Sequence, residues 1–546
     1  MSGTFQKHRM TSSPAHLSPL VATEIKFNER KGPLPEGRRL SCHAELLDDV
    51  IIDVPPESQV HRQIIRKDAE HRDIELNTAT RLYFVTLPES TLEDARGEAK
   101  LLMSSLESEW GLTDLRIETS ELVKLQVALA SGDRGVTVAV FESTQIIGVW
   151  SGLFDAPRGV AVDVGSTTVA AHLCDLATGD VLSSASVMNP QIPFGEDLMS
   201  RVSYIMMHPE GAEAMSSAIQ TALSKLFAEL TDQLGEPTDN ILEVSLVANP
   251  IMHHLVLGIN PINLGGAPFA LTIDEAVTLK ARDLGLDTHN QARLFVLPCI
   301  AGHVGADTAG VILAESPDSD NAMSLIVDVG TNAEIVLGNK DRLLVCSSPT
   351  GPAFEGGEIS AGQRAAAGAI ERVRIDRETL EPKFRVIGSE LWSTEAGFED
   401  STKELKITGI CGSGIIEVVA EMFLAGVISE DGIVDGVLAE RSSRVRSHGR
   451  TWSYVLHFAE DETQRDIVVT QNDVRQIQLA KAALYAGIKL LMDKMGVSAV
   501  DRIRLAGAFG SRISVEHAMV LGLIPDCALD HVSSAGNAAG VGARIA

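Results

Sequence analysis

Two stretches of the chain share one pattern. Each is a continuous run of small and β-branched apolar residues that closes on Asp, one further Val, Gly and a cluster of short polar side chains: GVAVDVGSTT at 159–168 and LIVDVGTNAE at 325–334. Apolar runs bounded by turn residues predict buried strands. The first continues through VAAHLCDLATGDVLSSASV, which reads as two or three strands in all with a turn at Thr178-Gly179-Asp180. A helix follows at about 211–234, with Met215, Ile219, Leu223, Leu226, Phe227 and Leu230 on one apolar stripe. Next come the strand LEVSLVAN, a helix from Pro250 to Leu257, and LFVLPCIAGHVGADTAGVILAES, a strand passing through glycine-rich chain into a helix. LIVDVGTNAEIVLGN then restarts the plan. Strand, Asp-bearing turn, strand and helices, given twice, predict a pair of related α/β lobes.

The pattern is weaker ahead of the lobes. Residues 1–20 are rich in Ser, Pro and His and carry no periodicity. VIIDV, within 34–60, is strand-like and is stopped by Pro-Pro, while 61–78 is charge-mixed and reads as a linker. Residues 80–153 read as a compact α+β unit. It has the strand TRLYFVTL, a helix carrying Leu92, Ala95, Ala99, Leu102, Leu106 and Trp110, and the strands LRIET and VTVAVFE. At 546 residues the chain exceeds one core of about 100–200 residues. It divides by pattern into 1–60, a linker at 61–79, a small domain at 80–155, a first lobe at 156–320 and a second at 321–546.

Composition acts mainly by exclusion. Formal charge is −28, from 74 acids against 46 bases without a long basic cluster, which argues against nucleic acid as a partner. No 18-residue apolar run free of charge is present, so a membrane span is not expected. The six cysteines, Cys42, Cys174, Cys299, Cys346, Cys411 and Cys527, form no CxxC pair, and no cationic segment leads into an apolar one at the start. Together these predict a cytoplasmic protein with free thiols.

The two Asp turns are the candidate chemistry. Asp163 and Asp328 would stand at the carboxyl ends of the first strands of two lobes, where Gly165 and Gly330 let backbone amides approach an anion. Ser166, Thr167, Thr331 and Asn332 add short donors. Phosphate oxygens clamped between the turns, with Mg²⁺ held near the acids through water, would account for the duplication; an Asp-Gly hairpin turn is the plainer alternative for either motif alone. Gly409, Gly412, Ser413 and Gly414 precede a predicted amphipathic helix whose free amides would face a ligand. Gly507, Ala508, Phe509 and Gly510 end a strand in small residues with room for a flat purine. Asp307 is a candidate to orient water or Mg²⁺, or else an N-cap. Glu355 is a candidate to position water, or else a turn acid. His253 and His254 lack a third ligand at metal spacing, and Cys174, Cys299 and Cys346 sit in apolar strands or at their ends, as inert thiols do.

These motifs carry a resemblance. Asp163 to Thr168, Asp328 to Asn332 and Leu505 to Gly510 resemble the two phosphate loops and the adenosine loop of the acetate and sugar kinase, heat-shock chaperone and actin superfamily, which brings Thr168 into the binding set. NPQIPFGEDLMSRV (189–202), ANPIMHHLVLGINP (248–261), GGAPF (265–269), PCIAGHVGADT (298–308), GPAFEGGEI (351–359), DVRQIQLAKAAL (473–484) and GNAAGVGA (536–543) resemble, more narrowly, the reductive activators of corrinoid proteins. The resemblance implies a multidomain α+β fold: a two-lobed, ribonuclease-H-like ATPase domain preceded by a small α+β domain and a truncated ferredoxin-like remnant. It also implies ATP and Mg²⁺ as cofactors, a corrinoid protein of a methyl-transfer system as partner, and return of Co(II) to Co(I) as the reaction. That electron runs uphill, at about 2.3 kcal/mol per ~100 mV. ATP would drive it through lobe closure, by binding two states with unequal affinity.

The front of the chain departs from the family pattern. LPEGRRLSCHAEL resembles the tail of a plant-type [2Fe–2S] ferredoxin, with Cys42 at its fourth cluster position, yet residues 1–41 contain no cysteine. One thiolate cannot hold such a cluster. Three readings stay open: an upstream segment with the other cysteines, a degenerate ferredoxin served by a separate electron donor, or an ATP-dependent binding module that remodels a corrinoid protein. A small-molecule kinase with Asp307 as base and a chaperone-like ATPase are the readings from other classes. Homodimerisation is left open.

Overall fold

The computed structural model describes residues 3–5, 10–31, 37–40, 44–52, 74–89, 91–92, 95–195, 197–330, 332–403, 405–459, 465–510 and 512–546. Cys42 and most of the expected linker lie outside them. The chain divides into two compact units, Met1–Gln63 and Ile64–Ala546.

The first unit has a two-stranded antiparallel sheet, Gly3–Phe5 with Met10–Ser12, and a helix at Ala22–Lys31. Its fixed point is Glu24, buried and gripped by the Arg39 guanidinium at 2.8 and 2.6 Å. Those hydrogen bonds hold the Glu24 carboxyl down to about 2. The strand expected at VIIDV is not formed over its described residues 50–52, where the Ile51 amide instead donates to the Ser12 hydroxyl at 3.0 Å.

The second unit opens with a four-stranded sheet in the order Thr80–Thr86, Gly135–Phe141, Gln145–Ser151, Arg116–Ile117. The first helix on it begins at Glu98 rather than near Leu92, which is fully exposed outside it; a left-handed Gly111 ends it. A second helix, Thr119–Ser131, and the strand Gln145–Ser151 were not foreseen. Leu122, Val123 and Val127 of that helix point to solvent, which blurs the apolar stripe that would have announced it.

The lobes follow one plan. The first sheet runs, edge to edge, Val181–Met188, Thr168–Asp175, Arg158–Val164, Ile241–Ala248, Arg293–Val296, Val277–Lys280; the second runs Arg342–Ser348, Ala333–Asn339, Ser324–Val329, Arg502–Ala506, Val532–Gly536. In both, the Asp-bearing strand is central, with an antiparallel hairpin partner on one side and a parallel strand on the other. Being buried on both faces, these strands need the continuous apolar runs seen in the sequence.

Two helices, Ala306–Glu315 and Ala538–Ile545, join the sheets in one core with Ala161 and Val247 of the first and Ile326, Val336 and Ala506 of the second. They meet on glycine: a Cβ on Gly542 would collide with the Gly310 carbonyl, and one on Gly310 would crowd that of Ala539. The rest of the second lobe adds two further small antiparallel sheets, the long helix Gln471–Met495 and the helix Gly412–Leu424. That last helix is not amphipathic, for every residue from Gly412 to Met422 is buried. Its Glu417 is fully buried and tied to Arg372 at 2.8 Å and Arg374 at 2.7 Å.

Candidate functional site

The Asp163 strand ends in a tight hairpin. Val164 pairs with Val169, and the Gly165 amide donates to the Thr168 carbonyl at 3.0 Å. The three intervening carbonyls are tied back into the lobe. The Asn189 side-chain amide donates to Gly165 at 2.8 Å, the Arg201 guanidinium to Ser166, and the Asn189 backbone amide to Thr167 at 2.8 Å. A trans peptide points its N–H opposite to its carbonyl, so the amides of Ser166, Thr167 and Thr168 face away from that brace. A row of outward amides of this kind is a concavity for anions. Asp163 itself is buried and stands in register beside Val247 of the parallel neighbour.

The Asp328 strand repeats the hairpin with one residue fewer. Val329 pairs with Ala333, the Gly330 amide donates to the Asn332 carbonyl at 2.9 Å, and the Thr350 hydroxyl donates to the Gly330 carbonyl at 3.3 Å. Gly507 abuts this strand end. Its φ is +87°, and a Cβ there would collide with a carboxylate oxygen of Asp328, so two independent constraints require glycine. Ala506 pairs with Asp328, after which Gly507–Gly510 forms a single helical turn.

Asp307 lies in the first turn of its helix rather than at the N-cap, which is Gly305. Its carboxylate accepts the Thr308 amide at 2.8 Å. A Cβ on Gly305 would stand 2.6 Å from both the Ala248 carbonyl and Asn249 Cα, so this helix starts at the end of the strand beside Asp163. Across the second hairpin, Glu334 pairs with Asp328. Burial, reinforced by the charges of Asp307 and Asp328, pushes the Glu334 carboxyl well above the usual range. Asp307, Asp328 and Glu334 therefore share one electrostatic neighbourhood. Glu334 was absent from the sequence-based candidates.

Glu355 ends the short turn Pro352–Glu355, half-buried, and that turn packs on the helix Gly412–Leu424. Gly412 and Ser413 are buried at the helix start, where Cys411 gives no side-chain cap and its Sγ lies 3.4 Å from the Ser413 hydroxyl. Gly414 is required by packing, since a Cβ would collide with the Ile370 carbonyl. Thr331 and the side chains of Ala508 and Phe509 lie outside the described residues.

Comparison with known proteins decides the family. Three family profiles match successive segments: the RACo linker region at 69–156, the RACo middle region at 158–319, and the C-terminal domain of RACo, the ASKHA domain, at 322–546. A solved structure named reductive activator for corrinoid, iron–sulfur protein is 30% identical with a TM-score of 0.74, covering 96% of this chain and 82% of that one. The chain belongs to the RACo family. Among RACo relatives, the corrinoid activation enzyme RamQ of Eubacterium limosum is 34% identical over 395 residues, 71% of this chain and 63% of its own length. The [Co(II) methylated amine-specific corrinoid protein] reductase of Methanosarcina barkeri is 25% identical over 383 residues, 67% of this chain and 66% of its own. The match thus spans a little under two thirds of each of these two relatives.

In this RACo chain the described thiols do not suit a metal cluster. Cys174, Cys299, Cys346, Cys411 and Cys527 are thiols outside any disulfide and sit in separate parts of the fold. Burial pushes Cys174 up to about 11 and Cys299 to about 12, which disfavours the thiolate a metal needs. Both ring nitrogens of His254 are engaged, by the Pro250 carbonyl at 2.9 Å and the Thr272 amide at 3.0 Å, and burial pushes His253 down to about 4. Among the described residues no three His, Cys, Asp or Glu side chains are grouped to hold a metal ion, and no helix is long and apolar enough to cross a membrane.

Proposed function

We propose that the protein is an ATP-dependent activator of a corrinoid protein, assisting one-electron return of Co(II) to Co(I) in a cytoplasmic methyl-transfer system. The observation that carries the reading is the outward row of amides at 166–168 in one lobe, matched by the Asp307, Asp328 and Glu334 carboxyls gathered around the equivalent hairpin in the other. Such a pair suits a nucleoside triphosphate. The amides and the hydroxyls of Ser166, Thr167 and Thr168 would take phosphate oxygens, and the Gly507–Gly510 turn would flank the adenosine. Asp163 and Asp328 would hold a Mg²⁺ through water, which when bound neutralises phosphate charge. Asp307 and Glu334 are the carboxyls that would hold the attacking water, with Glu334 keeping its proton more readily than an ordinary carboxyl.

ATP and water would give ADP and phosphate, and nucleotide-dependent lobe closure would favour the complex from which cobalt is reduced. The electron would come from an iron–sulfur segment upstream of the residues given or from a separate donor, since the described thiols alone do not suit a cluster. That observation also favours a second reading, an ATP-dependent remodelling protein that alters its corrinoid partner without redox chemistry of its own.

The test mixes the full chain with a Co(II) corrinoid protein and an external one-electron reductant, and follows Co(I) absorbance with and without ATP. Activation that requires ATP and falls about a hundredfold in Asp328→Asn fits the proposal. ATP-independent reduction, or phosphorylation of a small metabolite in place of hydrolysis, defeats it.

A further inference from the structure

The segment NPQIPFGEDLMSRV and Met252 of ANPIMHH take no direct part in the site above, yet their polar atoms converge behind the first phosphate loop. Arg201 is fully buried on the helix Leu198–Met207. Its Nε donates to the Gly195 carbonyl at 2.9 Å, its Nη1 to the Gln191 amide oxygen at 3.1 Å and the Met252 sulfur at 2.9 Å, and its Nη2 to the Ser166 carbonyl. None of these partners is charged. Gln191 is fixed in turn, its amide donating to Asn189 Oδ1 at 2.9 Å and its side chain to the Met215 carbonyl at 2.9 Å. Asn189 closes the ring by holding Gly165. Gly195 must lack a Cβ, which would meet the Arg201 amide at 2.7 Å.

A buried guanidinium whose described hydrogen-bond partners are all neutral is an expensive way to brace a loop; burial lowers its pKa to about 10, against a smaller opposing pull from the Asp197 charge. A neutral donor would satisfy the same carbonyls at less desolvation cost. The charge gains a purpose if an anion arrives on the other face of the Ser166 peptide. The cation orients that peptide from behind, and its field adds to that of the outward amides.

We propose that Arg201 is a positioning residue of the nucleotide site, a buried cation that aims the Ser166 and Thr167 amides at phosphate oxygens and makes the loop discriminate by ligand charge. This rests on the nucleotide reading above.

Affinities of the full chain for ATP, ADP and adenosine, measured by titration calorimetry with competition for the weak ligand, test it. Thermal unfolding and the KM and kcat of ATP hydrolysis are read alongside. Arg201→Met is expected to weaken ATP about tenfold or more while adenosine stays within about twofold, with KM rising and kcat nearly unchanged. Arg201→Lys, which keeps charge but not the forked geometry, should recover part of the loss. Should Arg201→Met not fold, Asn189→Ala, which removes the Gly165 anchor and leaves the cation, is read on the same ATP-to-adenosine ratio. Equal losses for ATP and adenosine, or unchanged ATP affinity, overturn the inference while the nucleotide reading stands. Wild-type protein that binds no nucleotide overturns both.

Discussion

The Asp163 and Asp328 hairpins share a strand plan but are furnished with opposite electrostatics. Behind the first lies a buried cation and a ring of side-chain amides. Around the second lie Asp307 and Glu334, with one threonine hydroxyl as its brace. Both lobes carry a similar turn, and under the proposed function the segments packed on each turn would divide the labour. On that reading one half would grip phosphate oxygens and the other would manage a proton and a water. Matched backbone therefore does not imply matched chemistry, because the role of a loop is set by what stands behind it.

The strongest way to break this contrast is at Gly507, which abuts the second hairpin. Gly507→Ala forces a Cβ into the Asp328 carboxylate and strains a left-handed residue by about 1–3 kcal/mol. ATP hydrolysis should fall by about a hundredfold, with ATP affinity reduced less, as read by single-turnover hydrolysis beside equilibrium titration. Parallel losses in the two would mean the hairpins are not specialised.

A smaller effect sharpens the acidic side. Because Glu334 has a raised folded-state value, the folded protein binds the extra proton between the unfolded carboxyl value of about 4.5 and its own. Stability contributed by this group is therefore lost as pH climbs through that window. Glu334→Gln should flatten that part of the pH–stability curve, seen as unfolding midpoints that decline less above about pH 4.5 than in wild type. An unchanged slope would mean the carboxyl is not held protonated by its neighbours. The smallest change is Thr350→Val, which removes one neutral hydrogen bond at 3.3 Å from the second loop. ATP affinity should weaken by no more than about fivefold. A loss equal to that of Arg201→Met would erase the asymmetry between the braces.

Much of the plan was legible in sequence, because each central strand must be apolar on both faces and each Asp-Gly turn breaks that run visibly. The order of strands within each sheet was not legible in those runs and comes from the pairings themselves. Glu334 was not legible. It occupies an ordinary alternate position after Asn332, and only the fold brings the charges of Asp307 and Asp328 to bear on it. Arg201 was hidden in the same way, since an arginine in LMSRVSYIMM reads as a solvated helix residue until Gln191, Gly195 and Met252 are seen to enclose it. The helix Gly412–Leu424 was misjudged because Glu417 and Glu421 mimic a polar face, whereas Glu417 is cancelled internally by Arg372 and Arg374 and Glu421 faces His517 at 2.9 Å. In each case the missing signal was a partner brought up by the fold rather than by helical or strand spacing.

The glycine and alanine seam between Ala306–Glu315 and Ala538–Ile545 has a mechanical meaning. Large interdigitating side chains would lock two layers like cogs, and any displacement would require them to change rotamer. Backbones that touch across residues with almost no side chain present a nearly smooth surface, tolerant of small sliding but closed to added bulk. The layer uniting the two sheets thus resembles a bearing more than a bolt.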